Sequence, residues 1–316
     1  MKRFLLCADV EGASGFGDAA MLRGDTFQQI REMITGDINA CARGIRLSEP
    51  NATIDLFDAH GLGGNVIEEE LAQGVRVLGG GWIATLFPLV SSGQLGEYDG
   101  LFLLGQHAAN GTKNGFLSHT NSKHIALRVN SHDAGEAEQL AWLAGAHGVP
   151  TLLVVGDDAT QREANALLPG VRTVSVKCAV DRQTAKCRPV DEVWREIESA
   201  ARNAVSELSS AAPSIVDEPV QISVFLSHPT MTKPAKTFRG VSVDERGIVR
   251  FESPTFIDGW FHYQTIGRIC SEFGLYKEAY RHLCEHDVTK QITAEVTAEF
   301  NASVYREDSP IPDVHY

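Results

Sequence analysis

The sequence predicts an α/β fold, with a mainly parallel sheet flanked by helices and a smaller C-terminal α+β domain. Two observations carry this reading. Short apolar runs alternate with helical patterns as far as residue 208, and parallel strands need such crossovers. The pattern then changes after Ser209-Ser210-Ala211-Ala212-Pro213, the best linker candidate. The expected division is therefore 1–212 for an α/β metal-binding catalytic domain and 213–316 for a smaller α+β domain with a C-terminal extension.

The elements are read in chain order. Phe4 to Ala8 is a continuous apolar run and reads as a buried first strand. A loop with Gly12, Gly15 and Gly17 leads to a helix marked by Ile30, Ile34, Ile38, Cys41 and Ile45, with Asp25 or Thr26 as its cap. Pro50 stops it, and residues 52–57 form the second strand. A short helix over 66–73 and a strand near 75–78 precede the break at Gly79-Gly80-Gly81. Residues 101–104 make a further apolar strand, 124–129 another, and 134–147 a helix with Leu140 and Leu143 inward. A strand at 152–155, a helix to Leu167, a strand near 172–176 and a long helix over 191–208 complete the α/β series. Beyond the linker come strands at 219–226, 237–243 and 247–251, then a helix over about 258–273. Ser309-Pro310-Ile311-Pro312 reads as an extended tail.

Composition excludes several classes. The 316 residues are 43% hydrophobic and 22% charged, enough to bury a substantial core. A net charge of −13 argues against nucleic acid or an anionic membrane as partner. No stretch approaches the roughly 18 apolar residues of a bilayer span. The run after Met1-Lys2-Arg3 is too short for a signal peptide, so the cytoplasm is the expected compartment. The six cysteines form no C-x-x-C pair, and Cys7 and Cys41 fall in apolar patterns as buried free thiols.

The chemistry collects where the predicted strands end. Asp9 and Glu11 follow the first strand, Asp58 and His60 the second, and His107 the run 101–104. In open α/β sheets, ligands bind just beyond the carboxyl ends of strands. At i and i+2 of an extended segment two side chains point the same way, so Asp9 and Glu11 can face one point, and Asp58 and His60 repeat the spacing. Glu136 stands at the start of a predicted helix. Carboxylates mixed with imidazoles suit a divalent metal such as zinc, and this many suit two. Asp58 can ligate, or it can orient a ligand imidazole from behind. His119, between Ser118 and Thr120, reads alone as an exposed loop histidine; beside a dinuclear site it can move protons or stabilise a transition state. The sequence lacks the phosphate loop G-x-x-x-x-G-K-[ST], the serine elbow G-x-S-x-G and the zinc-protease helix H-E-x-x-H.

Taken together, the motifs resemble those of the bacterial D-aminopeptidases encoded with dipeptide-transport genes, a family of zinc peptidases. The resemblance runs through Ala8-Asp9-Val10-Glu11-Gly12-Ala13-Ser14-Gly15, Asp58-Ala59-His60, Gly105-Gln106-His107-Ala108 and Leu117-Ser118-His119-Thr120. It continues in Gly135-Glu136, Val155-Gly156-Asp157-Asp158, Val176-Lys177 and Ala185-Lys186-Cys187, and covers about residues 3–273. It implies that Asp9, Glu11, His60, His107 and Glu136 hold two zinc ions, that His119 is the catalytic histidine, and that Asp58 orients. It also implies a ring-like homo-oligomer with active sites facing an inner chamber, acting on small peptide or amide substrates. Two departures stand out: Phe57 and Ala59 replace the Asn and Ser usual around the Asp, and the chain continues past the family's usual end near Leu275. The expected activity is metal-assisted hydrolysis of an amide, an aminopeptidase acting on short D-amino acid peptides. An amidase for a small non-peptide amide and a non-catalytic metal-stabilised scaffold are the rivals.

Overall fold

The computed structural model describes residues 1–284. Its main sheet has seven strands: β1 (Arg3–Ala8), β2 (Thr53–Asp58), β3 (Val75–Gly80), β4 (Gly100–Gln106), β7 (Thr151–Asp157), β8 (Arg172–Ala179) and β9 (Ala185–Cys187). They lie in the order β3-β2-β1-β4-β7-β8-β9. All pairings are parallel except β8 with β9. The chain grows from β1 to β3 on one side, then returns to place β4 on the other side of β1. That reversal opens a crevice at the carboxyl ends of β1 and β4, the usual ligand position in such sheets. Register makes the edge level, since Ala8 pairs with both Asp58 and Leu104.

Strand β1 reads as an unbroken apolar run because both its faces are covered. Phe4, Leu6 and Ala8 pack with helices α1 (Phe27–Ser48) and α5 (Val190–Ser206), through Ile30, Ile34, Ile38, Val193 and Ile197. Leu5 and Cys7 turn to the opposite face and join α3 (Glu136–Ala146) in a second cluster. Helix α2 (Phe87–Ser91) and helix α4 (Asp158–Leu167) complete the crossovers.

A second sheet has five strands: β5 (Ile125–Val129), β6 (His132–Ala134), β10 (Val220–Leu226), β11 (Ser242–Val243) and β12 (Val249–Ser253). It is antiparallel throughout, in the order β11-β12-β10-β5-β6. It therefore takes two strands from before Ala212 and three from after it. Helix α7 (Phe256–Cys284) packs here, and its Trp260, Tyr263 and Ile266 share one core with α3 and the inner face of the first sheet. Strand β5 alternates buried and half-buried residues, the signature of a sheet with one solvated face.

Three local expectations change. The helix expected over 66–73 is only a 3₁₀ turn at Glu68–Glu70, because Val66 and Ile67 turn inward without a helical period behind them. The strand expected over 237–243 is reduced to Ser242–Val243, and a short helix, α6 (Thr232–Ala235), precedes it around Pro234. The last helix runs past 273 to Cys284; the tail at Ser309–Pro312 lies outside the described residues. Cys7 and Cys41 are buried free thiols, as expected. Among the described residues no helix is long and apolar enough to cross a membrane.

Candidate metal centre

Two loops at the carboxyl edge are locked together by backbone. Asp9 N donates to Leu104 O at 2.9 Å and Gly12 N to Gly105 O at 2.8 Å. A Cβ on Gly12 would lie 1.9 Å from Gln106 O, and one on Gly105 would lie 2.0 Å from Asp9 O, with φ +67° there besides. Only glycine permits both approaches. Beneath the loop, the buried Lys177 Nζ donates to Glu11 O at 2.7 Å and Phe16 O at 2.6 Å. The ammonium also sits between the rings of Phe16 and Phe116, at 4.9 and 4.8 Å from their centroids. Burial pushes it down to about 8 from its ordinary 10.5. Asp37, buried in α1, accepts from Ser14 N (2.9 Å), Ser14 Oγ (2.6 Å) and Trp194 Nε1 (2.9 Å). Burial outweighs these donors and raises its carboxyl to about 6.

The level strand ends bring the side chains together. His60 Nδ1 lies 3.1 Å from Asp9 Oδ1 and 3.0 Å from Glu11 Oε2. His107 Nε2 lies 3.5 Å from Asp9 Oδ2 and 3.4 Å from Glu136 Oε1. His119 Nε2 is 3.7 Å from the same Glu136 oxygen. Ligand atoms thus form two clusters, Asp9-Glu11-His60 and His107-His119-Glu136, each within 4.8 Å. Asp9 turns one oxygen toward each. All five expected ligands and His119 converge at one place.

The tautomers are arranged for ligation. His107 Nδ1 donates to Ala108 O at 3.1 Å and His119 Nδ1 to Leu117 O at 2.8 Å, so each leaves Nε2 for the site. The two rings stack, with centroids 3.9 Å apart and planes 11° from parallel. His107 Nε2 is buried with no hydrogen-bond partner among the described residues; its carboxylate neighbours attract it but are not aligned as acceptors. A buried polar atom left unpaired among carboxylates fits a metal donor.

The electrostatics agree. Burial alone would raise Asp9, yet His107 and His60 hold its carboxyl well below the usual range. Burial raises Glu136 too, and His107 outweighs it to bring the group below its ordinary value. Against the lowering effect of burial, Asp9 and Glu11 push His60 up to about 11, and Asp9 with Glu136 lifts His107 well above 6.5. The buried carboxylates are thus held ionised, and the cluster favours positive charge beside them, the charge a bound metal ion would supply.

Asp58 has a different occupation. Its oxygens accept from Asn65 N at 2.7 Å and Asn65 Nδ2 at 2.9 Å, while that amide also donates to His60 O at 2.8 Å. It shapes the loop that presents His60. Sequence reasoning passed over Asn65, and also Asn121, whose backbone N donates to Glu136 Oε1 at 2.8 Å. Asn121 has φ 53°, and asparagine's tolerance of left-handed backbone was the available signal. The site opens into a pocket of about 690 Å³, whose lining includes Leu62, Trp82 and Ile83 and, from α7, Gln264 and Arg268.

The comparisons with known proteins bear on this geometry. The D-aminopeptidase from Bacillus subtilis (strain 168) is 29% identical over 190 residues, covering 58% of this chain and 67% of that protein. The solved structure of the Zn-dependent D-aminopeptidase DppA from Bacillus subtilis, a self-compartmentalizing protease, superposes with a TM-score of 0.77 at 22% identity. It covers 86% of this chain and 98% of its own. The family model described as D-aminopeptidase matches residues 1–263, and the chain belongs to that family.

Proposed function

We propose that this protein is a zinc-dependent aminopeptidase that hydrolyses short peptides, with the preference for D-residues that the family description carries. The observation that supports it most is the shared Asp9, one oxygen toward each of two carboxylate–imidazole clusters at the floor of a pocket. In this reading two divalent ions are held by Asp9, Glu11 and His60 on one side and by Asp9, His107 and Glu136 on the other. Metal bound there would polarise the scissile carbonyl and lower the pKa of a water toward neutrality.

The chain's own residues supply the rest. Hydrolysis adds a hydroxyl to the carbonyl carbon, breaks the C–N bond and leaves a proton on the departing nitrogen. His119 is a quarter exposed at the pocket, and its Nδ1 is fixed on Leu117 O, so Nε2 can carry that proton. A second role for His119 has an observation of its own: Nε2 also lies within the ligand cluster of His107 and Glu136. We read the assembly as a ring-like homo-oligomer, supported by the self-compartmentalizing character of the B. subtilis relative.

Chelation should abolish hydrolysis of a D-aminoacyl dipeptide, and added zinc should restore it. Full activity in a preparation verified as metal-free would overturn the metal reading. Light scattering that gave a monomer at all working concentrations would overturn the ring.

A further inference from the structure

One wall of the pocket is built by α7, and it carries a cation. Gln264 and Arg268 are one turn apart on the same helix face, and both line the pocket with His60, His119 and Glu136. Among the described residues lining it, Arg268 is the one permanent cation. Its charged neighbour is Glu272, at 3.9 Å and half-exposed like Arg268 itself, a pair of little strength that leaves the guanidinium donors available. The turn below is anchored firmly. Tyr263 Oη donates to Asn121 Oδ1 at 2.8 Å and Gln264 Nε2 reaches the same oxygen at 3.4 Å, while Asn121 N donates to Glu136. The backbone of this helical turn, and with it the base of the Arg268 side chain, is therefore tied to the cluster through Tyr263, Gln264 and Asn121. Residue 268 also lies beyond the residues 1–263 matched by the family model.

We propose that Arg268 is a specificity-determining residue that binds the free α-carboxylate of a short peptide substrate. The inference rests on the aminopeptidase reading and adds to it the identity of the far end of the substrate. A short peptide is charged at both ends. With its amino terminus and scissile carbonyl at the acidic floor of Asp9 and Glu136, its carboxylate projects toward the mouth, where a planar guanidinium can take both oxygens. Each further residue moves the carboxylate outward by about 3.3–3.6 Å, past that partner. Leu62 (94% exposed) and Ile83 (47% exposed), which line the same pocket, carry no charge that could compete for an anion. A pocket of about 690 Å³ lies within the range of about 300–1,000 Å³ typical of small-ligand sites.

The test compares a D-alanyl dipeptide bearing a free carboxylate with the same dipeptide amidated, on the zinc-loaded full chain. Wild type should favour the free acid by about tenfold in kcat/KM, mainly through KM, the size of one charge-assisted contact. Arg268→Ala should bring kcat/KM for the free acid down to that for the amide; Arg268→Lys should keep part of the preference, and Arg268→Glu should invert it. A preference that survives in Arg268→Ala overturns the proposal, as does a wild type indifferent to amidation. If the loaded wild type hydrolyses neither peptide, the aminopeptidase reading fails instead. Equilibrium binding of the two peptides to wild type and Arg268→Ala then decides the carboxylate site by itself: equal affinities in wild type overturn it, and a tenfold gap lost in the variant upholds it.

Discussion

Replacing Lys177 by methionine tests how far the loop carrying Asp9 and Glu11 depends on one buried ammonium. The variant keeps the side chain's volume and deletes its charge, leaving Glu11 O and Phe16 O without the donor that now reaches both. Two unpaired buried carbonyls cost about 1–3 kcal/mol each. Against this stands the relief of a buried charge whose pKa is held at about 8 and not 10.5, worth about 3 kcal/mol at about 1.4 per unit. The net loss of stability should be about 1 kcal/mol, about 4 for the two carbonyls less about 3 for the relieved charge, read from denaturant midpoints at pH 7. The larger effect should fall on metal affinity, since outer partners of a ligand are typically worth about 10–100-fold. The sign with pH is also fixed. Because the folded pKa is depressed, the folded state binds fewer protons than the unfolded one between about 8 and 10.5, so this group adds stability as pH rises through that window. Lys177→Met should lack that rise. A variant with wild-type zinc affinity and an unaltered alkaline profile would refute the brace.

Asp37 should give the opposite acid-side signature. Its folded pKa of about 6 lies above the unfolded 3.8, so its contribution is full below about 3.8 and is lost as pH rises to 6. Asp37→Asn should flatten the wild-type decline by up to about 3 kcal/mol over that interval, measured as the difference between the two denaturation profiles. Glu11→Ala and His60→Ala should each lower bound zinc by elemental analysis; wild-type content in both would remove them as ligands. His119→Ala should keep its metal and lose about 10²–10⁴-fold in kcat, and loss of one metal equivalent would show instead that it ligates.

Much of the site was legible because strands buried on both faces declare themselves as apolar runs, and the residues just past their ends must share one sheet edge. That logic located Asp9, Glu11, His60 and His107 without any knowledge of strand order. Glu136 was found at a helix start, yet nothing local showed that α3 would turn it toward His107 and His119. The destination of β5 was equally hidden. Residues 124–129 read as a strand, but besides the adjacent β6 its partner is β10, nearly a hundred residues on, and local pattern does not encode such pairing. Asp58 shows a different limit: its type and spacing matched a ligand, while its oxygens are spent on Asn65 seven residues later. Lys177 falls with Ser175 at the polar positions of an alternating strand, so nothing local marked it as buried, and its role depended on carbonyls from another loop.

The interleaving of the two sheets sets an order of events during synthesis. The half-cluster of Asp9, Glu11 and His60 belongs to strands β1 and β2, which emerge from the ribosome early and pair with each other through α1. The half around Glu136 cannot be finished then. Its hairpin, β5 and β6, presents an open edge until β10 arrives, and the wall over it waits for Trp260 to reach Gln139 (3.1 Å) and Tyr263 to reach Asn121. A nascent chain that has reached only Ala212 thus displays an unpaired strand edge and an uncovered apolar face of α3, the features that recruit chaperones or invite misassembly. Hydrolytic competence accordingly arrives last, and a truncated product would hold the early half of the centre without the pocket that gives it a substrate.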